Sequence, residues 1–340
     1  MKLANAIITF LCVLLVTACL TADASAQRER SRRSASKVKL SHLTYKTVTM
    51  KSKALKRQVK YSVFLPKGYD AEDNQDTRYP TIFFLHGMWE DHQRFYSRGG
   101  APVLDKMVGD GSIPKVIFIC VNDFSRGSFY INGKRMKVED MVLKEMIPHI
   151  AKTYRCKAGR SHRALLGVSM GGFGALKIAF KHPQAFGVVA SHSAAILPED
   201  HTKLLEVFPW AARYSDRMIK PVFGDPVDQE LWAAENPLTL ARQLDTDSLN
   251  GLKIYFDCGD ADRYKFEKPN EDLHKVLTKN GIRHTWRLVK GGNHGWNSRE
   301  TPTGYNQTAL PHSLRFIAAA WTQKKAIQGL SGLLGGDRKE

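Results

Sequence analysis

Gly167-Val168-Ser169-Met170-Gly171-Gly172 places a serine two residues from a glycine on either side. A serine hydroxyl is a weak nucleophile until a base takes its proton, and this spacing fits a Gly-x-Ser-x-Gly elbow that presents the hydroxyl on a sharp turn. The glycines are needed because a Cβ at either position would collide across the turn. A base, and an acid to orient it, should then follow in the chain order Ser, acid, His. Three carboxylates, Asp257, Asp260 and Asp262, surround Gly259. Asp262 is the expected acid and Asp260 the alternative, while Asp257 reads as part of the preceding strand. The expected base is His294, within Gly291-Gly292-Asn293-His294-Gly295-Trp296. His274 and His284 fall inside a helix and a strand, where a lone histidine reads as structural; His312, opening the last helix, is a weaker alternative. Acyl transfer also needs two N–H donors for an oxyanion. The backbone of Met170, next after the serine, provides one. Met88, in His86-Gly87-Met88-Trp89, is expected to provide the other, and His86 is given no catalytic role.

Such groups meet only if the chain brings loop ends together, and the pattern of elements suits that. Apolar runs at Thr81–Leu85 and 116–121 have the continuous character of strands buried on both faces. An alternating strand at 61–65 precedes them, ending at Pro66. Further strands are expected at 164–166, 187–190, 253–256 and His284–Val289. Helical patterns fall at 101–108, 138–154 (with Pro148 as a kink), 173–180, 266–279 and 309–321. The elbow thus lies at a strand-to-helix turn. The class is α/β, an α/β-hydrolase fold with a mostly parallel central sheet and helices on both faces. Residues 197–249 hold Pro209, Pro221, Pro226, Pro237 and two aromatic clusters, and read as a helical cap insertion over the site.

Met1 and Lys2 precede an apolar run at 7–16 and then Ala24-Ser25-Ala26, the pattern of a signal peptide over residues 1–26. The run is shorter than the roughly 20 residues a membrane span needs. The expected location is secreted or periplasmic, with lipid anchoring through Cys19 as the alternative. Residues 27–44 read as a basic flexible segment, 45–325 as one catalytic domain and 326–340 as a loose tail. Net charge is +18, and residues 27–60 carry twelve Lys or Arg against Glu29 alone. Such a segment reads as a solvated tail, with a tether to an anionic envelope or cell-wall polymer as the alternative; export and the lack of a recognition motif argue against nucleic acid. Cys120, Cys156 and Cys258 follow the cleavage site, too few for a disulfide framework. No CxxC or His-rich spacing points to a metal.

Taken together, Leu65-Pro66-Lys67-Gly68-Tyr69, His86-Gly87, Ile147-Pro148, the elbow, Gly259 to Asp262 and His294 resemble the esterase D family over about residues 45–322. That family includes feruloyl and acetyl-xylan esterases, S-formylglutathione hydrolases and mycolyltransferases. The resemblance implies a cofactor-free Ser169, Asp262, His294 triad with Met88 and Met170 at the oxyanion hole. It implies a secreted serine ester hydrolase acting through an acyl-enzyme on feruloyl, acetyl or other short acyl esters. Val168 stands where formylglutathione hydrolases commonly have histidine, and export removes the chain from glutathione, so that thioesterase activity is disfavoured. An acyltransferase using the same triad, and a non-catalytic envelope-binding protein on a hydrolase scaffold, compete with the hydrolase. Trp89 and Trp296 are expected at the substrate, with Tyr130, Trp210 and Trp232 as further candidates for an aromatic acyl pocket.

Overall fold

The computed structural model describes residues 39–123, 127–295 and 308–333, with side chains to residue 322 in the last stretch. Its strands are β1 Leu43–Ser52, β2 Arg57–Pro66, β3 Thr81–Leu85, β4 Ile117–Val121, β5 Arg163–Val168, β6 Val188–His192, β7 Lys253–Gly259 and β8 His284–Val289. They form one sheet in the order β1-β2-β4-β3-β5-β6-β7-β8. From β4 to β8 the neighbours are parallel; β1 and β2 form an antiparallel hairpin on the β4 edge.

Alternate residues of the buried strands feed two cores, one on each face. Phe83, Leu85, Ile119 and Leu165 pack against one set of helices, which includes Met170–Lys181 and Glu267–Lys279. Ile82, Phe84, Phe118 and Leu166 pack against the other, with Leu104 of helix Gly100–Gly109 and Leu314 of helix Leu310–Leu333. Burial on both faces is why these strands are apolar throughout. The chain leaves β3 toward β4 and then returns across β3 to lay down β5. This reversal of strand order opens a crevice at the carboxyl ends of β3 and β5, where open α/β sheets bind ligands.

The backbone N–H groups of Ser41, His42 and Leu43 donate to the Asp105 carboxylate at 2.9, 2.8 and 2.8 Å, which anchors β1 to helix Gly100–Gly109. The expected helix at 138–154 is a run of α-helix Val138–Asp140, π-helix Met141–Met146 and α-helix Ile147–Thr153. Pro148, which cannot donate to the preceding turn, sits where the wider π turn gives way to the α segment. The last helix spans Leu310–Leu333. Between β6 and β7 lie short helices that include Leu204–Val207, Ser215–Met218, Gln229–Glu235 and Pro237–Gln243. Among the described residues, no helix is long and apolar enough to cross a membrane. Residues 1–38, with the expected signal peptide, Cys19 and most of the basic segment, lie outside the described residues.

A buried ion network ties this insertion to the helix after β5. Lys177, fully buried, meets Glu139 and, at 2.6 Å, Glu235. Lys181 reaches the same two carboxylates at 3.2 and 2.6 Å, and His182 meets Glu139 at 2.8 Å. Burial alone would raise the Glu139 carboxyl, but His182, Lys177 and Lys181 outweigh it and hold it below its ordinary 4.5. Its stabilising contribution is therefore present above pH 4.5 and lost as pH falls toward the depressed folded value. For Lys181, burial disfavours the charge, yet Glu235 and Glu139 raise it above 10.5, so its contribution is present below that pH and lost above it. Glu139→Gln, which unpairs part of the network, should lower unfolding free energy at neutral pH by about 3 kcal/mol and flatten the acid limb. Urea titrations from pH 3 to 8 test this; an acid limb equal to wild type would contradict it.

Candidate active site

β5 ends at Val168 and helix Met170–Lys181 begins immediately, so Ser169 must reverse the chain alone, at φ 57° and ψ −120°. Its N–H donates to His192 O at 2.9 Å and its carbonyl accepts from Ala195 N at 3.0 Å; these bonds to β6 and the residues after it hold a strained backbone in place. Both glycines are required by close approach. A Cβ on Gly167 would lie 2.0 Å from Gly171 O, and one on Gly171 would lie 2.0 Å from Leu85 O, at the end of β3.

The loops after β7 and β8 bring up the other two groups. His294 Nε2 lies 2.9 Å from Ser169 Oγ, and its Nδ1 lies 2.7 Å from Asp262 Oδ2. Asp262 is fully buried and His294 is 8% exposed, so the contact is shielded from water. Asp262 Oδ1 accepts the Tyr264 N–H at 2.8 Å. The Cys258 thiol lies 3.6 Å from Oδ2, and burial, with Asp262 beside it, pushes that thiol well above its ordinary range. The Tyr264 ring stands edge-on to His294 with centroids 4.6 Å apart, fixing the imidazole from the side.

The other sequence candidates separate clearly. Asp260 is exposed, and its carboxylate accepts the Gly291 N–H at 2.7 Å; it braces the histidine loop without touching the imidazole. Asp257 ends in β7, where it meets His192 Nδ1 at 2.9 Å and accepts from Tyr255 OH at 2.7 Å. His192 Nε2 in turn meets Ser313 Oγ at 2.8 Å. This second Asp, His, Ser chain is fully buried, and the Ser313 hydroxyl also lies 3.0 Å from the Leu310 carbonyl, so no substrate can reach it. His312 is exposed on the last helix. His274 and His284 pair with each other at 2.8 Å at the far edge of the sheet.

Met170 N–H is the first of its helix and has no partner within it, and helix N-termini favour developing negative charge. Gly87 lies against the serine: a Cβ there would come 3.5 Å from Ser169 Cβ, so the peptide leading to Met88 runs beside Ser169. His86, fully buried, meets Gly87 O through Nδ1 at 2.8 Å and Asp123 through Nε2 at 3.4 Å. Burial opposes its charging, but Asp123, the Gly87 carbonyl and Glu90 together raise its pKa.

Trp89 is 42% exposed beside this loop, its ring 6.1 Å from that of Tyr214 in the insertion. Trp210 is half-buried and donates its indole N–H to Tyr264 O at 3.3 Å. Trp232 and Tyr130 are not available to a ligand. Both are core residues, the indole N–H donating to Pro198 O at 2.8 Å and the phenol to His86 O at 3.2 Å. Trp296 lies outside the described residues. Sequence reasoning missed Tyr264 and Glu90. The signals were an aromatic two residues past Asp262, and a glutamate spaced four and eight residues before Arg94 and Arg98.

Strand order, crevice and elbow define an α/β hydrolase. The chain belongs to the "Putative esterase" family, whose model matches residues 52–316. It is 31% identical over 156 residues to an endo-1,4-beta-xylanase/feruloyl esterase of Xylanibacter ruminicola, a match covering 44% of this chain and 21% of that protein. It is 28% identical over 248 residues to Esterase Rv1288 of Mycobacterium tuberculosis, covering 68% of this chain and 51% of the relative. The match thus spans about half or less of each relative's length. Among solved structures, a ferulic acid esterase superposes with a TM-score of 0.67 at 26% identity, over 82% of this chain and 99% of that one. An S-formylglutathione hydrolase from Agrobacterium tumefaciens superposes at 0.63 with 16% identity, over 84% and 97%, a likeness of fold alone.

Proposed function

We propose that this chain is a serine carboxylic-ester hydrolase working through an acyl-enzyme on Ser169. The hydrogen-bonded sequence Ser169, His294, Asp262 on a strained strand-to-helix turn carries the reading. Ser169 Oγ attacks the ester carbonyl as His294 Nε2 takes its proton; His294 returns that proton to the leaving alcohol oxygen, giving the acyl-enzyme. Water then attacks the acyl-enzyme, again through His294. Asp262 keeps the Nδ1 proton in place and stabilises the imidazolium. Met170 N–H and Met88 N–H receive the oxyanion. An acyltransferase would share every step up to the acyl-enzyme and differ only in what attacks it.

For the acyl group we favour a phenolic acid such as a feruloyl group, with short acyl esters such as acetyl next. The related ferulic acid esterase structure and the xylanase/feruloyl esterase support this choice. The exposed Trp89 ring beside Tyr214 offers an aromatic wall on the side of the insertion. We place the work outside the cytoplasm, on the strength of the apolar leader and small-residue cleavage pattern.

Charge points to a partner as well. No Asp or Glu occurs between residues 39 and 69, and Lys51, Lys53, Lys56, Arg57 and Lys60 are exposed around the β1-β2 turn. Because β2 is antiparallel to β4 with Ser62 opposite Cys120, that turn projects past the carboxyl end of β4, the end at which Ser169 lies. We infer an anionic polymer as partner, held by the basic segment and this hairpin.

Ser169→Ala should abolish turnover of p-nitrophenyl esters and methyl ferulate. Asp262→Asn should lower kcat by about 10⁴, and Asp260→Asn should leave it within a few-fold. Full activity in Ser169→Ala, or the reverse ranking of the two aspartates, would overturn the assignment. Replacing Lys51, Lys53, Lys56 and Lys60 together by Gln should reduce salt-sensitive retention on a carboxylated polysaccharide resin; unchanged retention would remove the hairpin from the partner reading.

A further inference from the structure

We propose that Glu90 is a positioning residue for the oxyanion loop, clamping its backbone so that the Met88 N–H stays available to the reacting carbonyl oxygen. The inference rests on the ester-hydrolase reading of Ser169. Trp89, next to Glu90 in that loop, has φ 63°, a left-handed value that bulky side chains rarely adopt and that persists only where the surroundings over-determine it.

Those surroundings converge on Glu90. One carboxylate oxygen, Oε2, accepts the Gly87 N–H at 2.9 Å. The other, Oε1, accepts from Arg94 Nε at 3.1 Å and Arg98 Nη2 at 2.8 Å. The Glu90 side chain is 10% exposed, and Phe84, Phe95 and Val168 line the same small space as the carboxylate and its arginines. Charge-assisted bonds in such a place are shorter and stronger than neutral ones. Arg94 opens the short helix Arg94–Ser97, so the clamp runs from that helix, through Glu90, to the residue lying against Ser169.

The peptide joining Gly87 to Met88 is fixed from both sides. On one side the Gly87 N–H is held by the carboxylate; on the other Trp89, in its left-handed conformation, leads directly into Glu90. No protein acceptor among the described residues takes the Met88 N–H. Fixing the flanks while leaving that N–H free is what an oxyanion donor needs, since its value lies in being oriented before charge develops. Without the carboxylate, Trp89 can return to negative φ and the 87–88 peptide can rotate.

A cycle of variants assayed with p-nitrophenyl acetate tests this. Removing one oxyanion donor typically slows kcat by about 10² to 10³, and releasing the loop should cost less than outright removal. Glu90→Ala should therefore lower kcat at least ~10-fold with little change in KM, because the interaction matters in the transition state. The pH midpoint of kcat/KM should not move. In a Trp89→Gly background, where left-handed φ carries no steric penalty, the same Glu90→Ala change should lower kcat less than ~3-fold. Equal losses in both backgrounds, or no loss in either, would overturn the proposal. If Glu90→Ala does not fold, Glu90→Gln in both backgrounds decides by the same ratio. Ser169→Ala run alongside separates the two claims: if it keeps turnover, the hydrolase reading fails; if it is inactive and Glu90→Ala matches wild type, only the role of Glu90 fails.

Discussion

Helix Met170–Lys181 comes so close to the end of β3 that Gly171 has no room for a side chain against Leu85 O, and the geometry of the whole carboxyl end depends on that contact. It forces the chain to turn at one residue, which puts Ser169 at φ 57°. The same closeness sets the first N–H groups of the helix beside the loop that follows β3, so the proposed nucleophile and both proposed oxyanion donors meet at one point. The strain at Ser169 is held by backbone bonds to His192 and Ala195 and by a helix anchored underneath through Lys177 and Lys181. A rigid element thus bears the strain, as functional sites require.

Buried charge follows one rule throughout: each carboxylate is matched by donors of fixed direction. Asp262 meets the His294 imidazole and accepts the Tyr264 N–H, while Asp257 meets His192 and Tyr255. The two sets look alike on paper and differ in access. Ser169 is half-buried at the mouth of the crevice and Ser313 is sealed in the core, so the first can work on a ligand and the second can only tie the last helix to β6 and β7.

Much of this was legible in the sequence because it follows from short-range sterics. The glycine spacing around Ser169 records a backbone collision, and the continuous apolar runs of β3 and β4 record burial on both faces. β1 was not legible: it pairs only with β2 at the sheet edge and is rich in Lys and Thr, so half its length carries no burial signal. Aromatic content likewise says nothing of direction, and Trp232 and Tyr130 turned inward to bond Pro198 and His86. Asp262 was preferred to Asp260 from its place after Gly259, but the loop packing that buries it, in which Gly259 lies against Gly292, was not legible. Glu90 was invisible because a glutamate four residues before an arginine reads as an ordinary exposed helix pair, and nothing local reveals that its other oxygen reaches back to Gly87.

The central claim is that Ser169 alone is activated as a nucleophile. Treating the native protein with a fluorophosphonate and locating the adduct by peptide mass spectrometry addresses it directly. One phosphonyl group per chain, on Ser169, with loss of ester turnover in proportion to labelling, is the predicted result. An adduct on any other residue, or complete labelling of Ser169 with turnover intact, would contradict it.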